Sequence, residues 1–302
     1  MSQPAERRTL DELVARYDLE PELGDVYVEG MFDKDVLTRC FHDFGQMDRI
    51  VYEIDTVEIP MATLVREGLD EGNKQRVIAL ARILQRIERE IACRCLVDRD
   101  LDHWFGPLET TRTLVWTEHC SIELYFFTDA VLQELLIVAA RAQIQDWRKF
   151  ICSMTNALLD LYAMRLADRE LGWSMQWLST HKQLKAGPDQ IEFNKEEYVR
   201  RLLLKNGRSK RAADFSATLA KRRSSLICDP RRAIRGHDLT DVLSWTIRAF
   251  KGLREIESVV AIERIFLLAV PRAPELIDLF SPPSLKKAPA RKPPQSTKAA
   301  SS

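Results

Sequence analysis

Acidic side chains stand at three points of this sequence where an apolar run stops or a helical pattern starts. "VYVEGMFD" places Glu29 directly after Val26, Tyr27 and Val28, with Asp33 four residues further on. "CLVDRDLD" places Asp98, Asp100 and Asp102 directly after a second apolar run. Glu123, in "SIE", stands at the start of a further helical pattern that follows a third apolar run. Carboxylates that converge repel one another, and each is costly to ionise out of water unless something neutralises it. A hard divalent cation does so. Mg2+ takes oxygen ligands, commonly one or two carboxylates, and keeps waters for a phosphate-bearing substrate. Such a site can activate water and stabilise a leaving oxygen, which is the chemistry of phosphodiester cleavage. In an extended D-x-D the two side chains share a face, so Asp98 and Asp100 could aim at one ion. Each motif alone has a plainer reading. A D-x-D after a strand also makes a turn or cap, and Asp33 also suits a helix N-terminus.

These residues can cooperate only if the elements bring strand ends together. Residues 25–28 read as a strand, 33–44 as a helix, and 50–60 as a second strand that alternates and stops at Pro60. A strong amphipathic helix is predicted over 73–91, buried strands over 93–97 and 111–116, and more helix from 121–127. The order β-α-β-α-β-β-α predicts an α/β domain with a mostly parallel four-stranded sheet flanked by helices. Ligands of such sheets bind outside the carboxyl ends of the strands. Glu29 and Asp98 fall on that edge if their strands are neighbours. From 129 to 180 the pattern is helical almost throughout, and no further strand is expected. A last helical portion is predicted over 238–269. The chain divides into a helical extension (1–21), the α/β domain (22–130), a mainly helical domain (131–280) and a disordered basic tail (281–302) dominated by Pro, Ala, Ser and Lys.

The 302 residues carry 45 basic and 45 acidic side chains, so overall charge is silent about partners. Its distribution is not. Residues 195–235 hold thirteen Lys and Arg against Glu196, Glu197, Asp214 and Asp229. Lys205, Arg208, Lys210, Arg211, Arg222 and Arg223 are the candidate nucleic-acid contacts, giving affinity without base readout. A solvated helical face or a partner surface would explain the same stretch. Lys74 sits at a predicted helix N-terminus, where anions are favoured. His103 could serve a scissile phosphate or be an ordinary loop histidine. The tryptophans Trp147, Trp173, Trp177 and Trp245 read as core or subunit interface. Six cysteines without a C-x-x-C pair read as buried small hydrophobes in a reducing compartment. The charged N-terminus lacks a secretory core, and no apolar run approaches the roughly 18 residues of a membrane span. A cytoplasmic protein is expected.

The acidic segments resemble the TOPRIM domain of topoisomerases, primase-type enzymes and OLD-family nucleases. There a first strand ends in Glu-Gly and a later one in D-x-D or D-x-D-x-D, as in "VEGMFD" and "VDRDLD" here. OLD-type nucleases add an acid four residues after the first Glu and a Ser-x-Glu after a further strand, matched by Asp33 and by Ser121 and Glu123. Within that family the chain resembles TOPRIM-like bacterial proteins associated with anti-phage defence, which include the nuclease effector of PARIS-type systems. "EGNKQRVIALAR" and "RGHDLTDVL" resemble other segments of that group. The resemblance covers residues 22–130 well and 131–270 loosely. It implies a TOPRIM-like fold and a Mg2+- or Mn2+-dependent endonuclease. Glu29, Asp98 and Asp100 would hold one ion. Asp33 and Glu123 would hold a second or orient water, with Ser121, Asp102 and Lys74 in support. Glu118 competes with Glu123 for its role. No Walker A motif is present, so an ATPase partner would be a separate chain. A homo-oligomer would fit the tryptophans read as subunit interface.

Overall fold

The computed structural model describes residues 7–280; the basic tail expected at 281–302 lies outside the described residues. The chain opens with α1 (Leu10–Leu19), β1 (Val26–Val28), α2 (Met31–Asp43), β2 (Val51–Glu53), α3 (Met61–Arg66), α4 (Asn73–Leu84), β3 (Arg94–Val97) and β4 (Leu114–Trp116). The four strands are all parallel, in the order β2-β1-β3-β4. α2 and α4 lie on the two crossovers that flank β1, and they cover opposite faces of the sheet. Val26, Val28, Val36 and Leu37 share one apolar cluster; Tyr27, Cys95, Val77 and Leu80 share the other. The chain thus runs from β1 outward to β2 and then back across β1 to β3 on its other side. This reversal opens a crevice at the carboxyl ends of β1 and β3. Glu29 and Asp98 sit on those two ends.

After β4 come a short 3-10 helix (Ile122–Phe126), α5 (Asp129–Gln133), a π-helical turn (Glu134–Ala139) and the long α6 (Trp147–Leu171). Then follow β5 (Leu184–Gly187), β6 (Gln190–Phe193), α7 (Lys195–Lys205), α8 (Ala212–Ser225), α9 (Gly236–Ala249), α10 (Val259–Leu268) and α11 (Glu275–Asp278). The β5–β6 hairpin corrects the expectation of no strand beyond residue 129. Its Gly187-Pro188-Asp189 turn puts Asp189 in the left-handed region (φ 51°), a conformation that Asp tolerates. Helix does not continue to 180 either: α6 closes on Gly172, whose φ of 64° is a left-handed cap.

Two boundaries inside the sheet domain also differ from the expected ones. α4 stops at Leu84 instead of running to 91: the chain tightens as the Arg86 and Ile87 N–H groups donate to the Ile83 and Leu84 carbonyls, and the Arg112 guanidinium donates to the Gln85 and Ile87 carbonyls at 3.1 and 3.0 Å. Ile87 and Ile91 stay buried without being helical. The strand expected over 50–60 is cut at Glu53 by a 3-10 turn, and Val57 bridges to Arg8 rather than to the sheet. Cys40, Cys93, Cys95 and Cys120 are buried as expected, whereas Cys152 and Cys228 are exposed. Among the described residues no helix is long and apolar enough to cross a membrane.

Candidate active site

Four carboxylates gather at the β1–β3 crevice. Glu29 caps β1, and its Oε1 accepts the Asp98 backbone N–H across the crevice at 2.9 Å. The chain then turns at Gly30 into α2. Asp33, in the first turn, reaches back to accept the Gly30 N–H at 3.2 Å. Glu123 comes from the 3-10 helix after β4 and is only 8% exposed. Asn73, the first residue of α4, donates to the Glu29 carbonyl at 2.8 Å and so fixes a helix start beside the strand end.

The electrostatics show how tightly these groups are set. Burial, followed by the nearby Asp100 and Glu123, raises the Glu29 carboxyl to about 7, against the pull of the Asp98 N–H and Lys74. Burial, then Glu123 and Glu29, pushes Asp33 well above the ordinary range. Burial, then Asp33, Glu29 and Glu123, does the same to Asp98. Glu123 Oε2 and Ser121 Oγ are buried without a hydrogen-bond partner. Both lie against Gly236 at the start of α9, where an added methyl group would overlap them.

Asp100 is placed differently from the expected D-x-D. β3 ends at Val97, and Asp100 adopts a left-handed backbone (φ 44°), so the extended geometry that would align it with Asp98 is broken. Its N–H donates to the Cys120 carbonyl at 2.7 Å, and its own carbonyl accepts the Tyr162 hydroxyl of α6 at 2.7 Å. Its carboxylate pairs with Lys74 at 3.0 Å. Lys74 also pairs with Asp102 at 2.6 Å, and Arg169 reaches Asp102 at 2.8 Å. Burial opposes the charge on Lys74, but Asp100 and Asp102 outweigh it and leave its pKa raised. The expected phosphate-facing lysine is therefore a bridge between two acids.

Other candidates separate cleanly. Glu118 points outward to Arg232 at 3.1 Å, which leaves Glu123 as the acid of this segment in the cluster. Asp35 pairs with Arg264 at 2.6 Å, away from the site. Burial, with Arg99, lowers His103 to about 4, and burial with Arg231 does the same for His119, so both are neutral near pH 7. Much of the basic stretch is neutralised locally. Arg222 and Lys221 pair with Glu170, Arg223 with Asp160, and Arg211 with Asp214. Arg208 and Arg211 lie over the Trp173 ring, Lys205 donates to the Trp177 carbonyl, and Lys210 is exposed. The sequence reading did not single out Arg165, Arg169, Tyr162 or Gly236, although "RGHD" directly before an apolar helical pattern marked the start of α9.

Among the described residues no three His, Cys, Asp or Glu side chains stand ready to close on one ion. Glu29 and Asp33 hold backbone N–H groups instead, and Asp100 holds Lys74. The donor set itself suits a hard divalent cation: every group is an oxygen, and Glu123 Oε2 and Ser121 Oγ lack partners. Glu29, Asp33, Asp98 and Glu123 are the side chains that could hold Mg2+ or Mn2+. The fold and site define an α/β protein with an acidic crevice at the carboxyl edge of a parallel sheet. No protein-family model matches the chain, and no curated protein matches its sequence.

Proposed function

We propose that this chain is a metal-dependent nuclease of the TOPRIM type, hydrolysing phosphodiester bonds of DNA or RNA with Mg2+ or Mn2+. The reading is carried by the gathering of Glu29, Asp33, Asp98 and Glu123. Three of these carboxyls have raised pKa values because they are buried together, an arrangement that a divalent cation relieves. A bound ion supplies charge neutralisation and an acidified water. Glu29 and Asp98 would anchor it, while Asp33 and Glu123 orient the water or a second ion. Lys74 positions Asp100 and Asp102 at the rim. The setting in bacterial anti-phage defence and a separate ATPase partner follow from the resemblance alone; a cytoplasmic location follows from the cysteine usage and the lack of a long apolar run, and a homo-oligomer from the tryptophans read as core or subunit interface.

The test pairs cleavage with binding. Plasmid and tRNA are incubated with the protein in Mg2+, Mn2+ or EDTA, and Mn2+ binding is measured by calorimetry, for wild type, Glu29→Ala and Asp98→Ala. Metal-dependent cleavage lost in both variants supports the nuclease. A second reading, a catalytically idle TOPRIM module that binds nucleic acid or an ATPase partner, is favoured by the grip of Lys74 on Asp100 and Asp102, an internal cation already at the rim. It predicts no Mn2+ binding and no dependence of cellular activity on Glu29 or Asp98.

A further inference from the structure

A cleft of about 630 Å3 opens beside the acidic crevice, between the end of β3, the body of α6 and the start of α9. Its size is that of a small-ligand pocket, a few hundred Å3, rather than of a groove for a duplex. Asp100 and Lys74 line it on the crevice side; Tyr162, Arg169, Trp177 and Arg235 line the rest. The charges within it are unevenly satisfied. Lys74 and Arg169 are paired with Asp100 and Asp102. Arg165, which also faces the cleft, is held in a two-point ion pair by Asp238 at 2.8 and 2.6 Å. Among the cleft's cations Arg235 is the exception: its half-buried side chain makes no ion pair or hydrogen bond with any described residue, while of the acids that also line the cleft Asp168 is held by the Met175 N–H and Asp70 is exposed to solvent at its edge. It also precedes Gly236, the residue pressed against Glu123 and Ser121, so the free cation and the acidic cluster are joined by one peptide. Arg165 lies over the Trp177 ring, 4.2 Å from its centroid, and holds that half-buried indole at the cleft wall.

An uncommitted guanidinium beside an aromatic wall is the combination that tracks an unpaired strand, the cation on the phosphate and the ring against the base. Bases inside a duplex cannot enter such a pocket without being unpaired. We propose that this cleft receives one unpaired nucleotide of a single-stranded nucleic acid, its phosphate on Arg235 and its base against Trp177. The inference rests on the nuclease reading and adds that the strand next to the cleaved bond is single.

Fluorescence anisotropy in EDTA tests it without cleavage. The probes are fluorescein-labelled octadeoxy- and octaribonucleotides of mixed sequence, each single-stranded or annealed to its complement. The wild type should bind at least one of the single strands roughly tenfold or more tightly than the matching duplex. Arg235→Gln and Trp177→Phe should each weaken that binding by about fivefold or more, with unchanged melting temperature for Arg235→Gln, whose side chain supports no other group. Equal binding of duplex and single strand, or Arg235→Gln binding as wild type does, overturns the proposal. These outcomes are separable from the nuclease reading. Cleavage lost in Glu29→Ala with Arg235→Gln indifferent keeps the nuclease and removes the cleft. Strand binding lost in Arg235→Gln, in a protein that cleaves nothing with any metal, keeps the cleft and removes the nuclease.

Discussion

Glu29, Asp33 and Asp98 are held ionised only at a cost, and that has a measurable sign. Each carboxyl titrates higher in the fold than in the unfolded chain, Glu29 at about 7. The folded state therefore binds more protons than the unfolded one. For Glu29 the stabilisation is fully present below the unfolded value, roughly 4.5, and is lost as pH rises through about 7, and Asp33 and Asp98 act with the same sign. Metal-free protein should melt several degrees higher at about pH 6 than at about pH 8 by calorimetry. Asp98→Asn, which removes the repulsion, should flatten that slope and abolish cleavage. A metal-free melting temperature that climbs from pH 6 to 8 would sink this account of the cluster. At the same scale, Glu118→Ala should leave cleavage within about twofold, since its partner Arg232 is a surface pair, while Glu123→Ala should reduce it to background. Glu29 and Asp98 were legible because a carboxylate ending an apolar run is conspicuous, and Glu123 because it opens a further helical segment in a Ser-x-Glu pattern. The turn at Asp100 was not, since it depends on Cys120 and on Tyr162, which lie 20 and 62 residues away in the chain.

Elements were legible where their own residues decide them. The crossover strands and α2 follow from local periodicity, and so could the β5–β6 hairpin have done, from Gly187-Pro188-Asp189 between alternating apolar residues. The carbonyls just past the end of α4 are instead satisfied by Arg112, some 25 residues further along the chain, and no window on the helix reveals it. The start of α9 belongs to the same kind. Gly236 is buried against Glu123 and Ser121 with no room for a methyl group, so helix α9 fixes the position of an acid from another element. Gly236→Ala is expected to shift the Glu123 carboxylate and lower cleavage by on the order of 10²-fold, while overpacking costs about 1–3 kcal/mol of stability. Equal cleavage by Gly236→Ala and wild type would detach α9 from the site. A second element contact carries more stability than chemistry. Arg165 of α6 and Asp238 of α9 are 14% and 11% exposed in a two-point ion pair. Asp238→Ala leaves the guanidinium buried and alone, and should cost about 3–5 kcal/mol in urea unfolding.

At the scale of the whole molecule, the division at residue 130 marks a change of sequence texture rather than a break in packing. One apolar cluster runs from Val26 and Val28 of the sheet through Phe126 to Phe266 and Leu276 near the end of the described chain. Phe126 stacks on Phe266 at 5.0 Å, and Phe41 meets the edge of Phe280 at 5.2 Å. Leu37, Phe41, Ile122, Leu124, Tyr125 and Phe126 are each at most 1% exposed, and residues beyond 130 supply part of that cover. Fully exposing a large apolar side chain costs roughly 1.5–3 kcal/mol. Six such side chains losing even half their cover forfeit roughly 5–9 kcal/mol, comparable to the whole stability of a typical domain, about 5–15 kcal/mol. The fragment 7–130 carries every acid of the cluster, yet it should not fold alone. Its circular dichroism should show no cooperative thermal transition and its amide NMR spectrum should be collapsed, whereas 7–280 should give both a sharp transition and dispersed amides. A cooperative transition in the short fragment would mean that the sheet and its two crossover helices hold the acids in place unaided. The contacts from α6 and α9 would then tune a site that already exists instead of completing it.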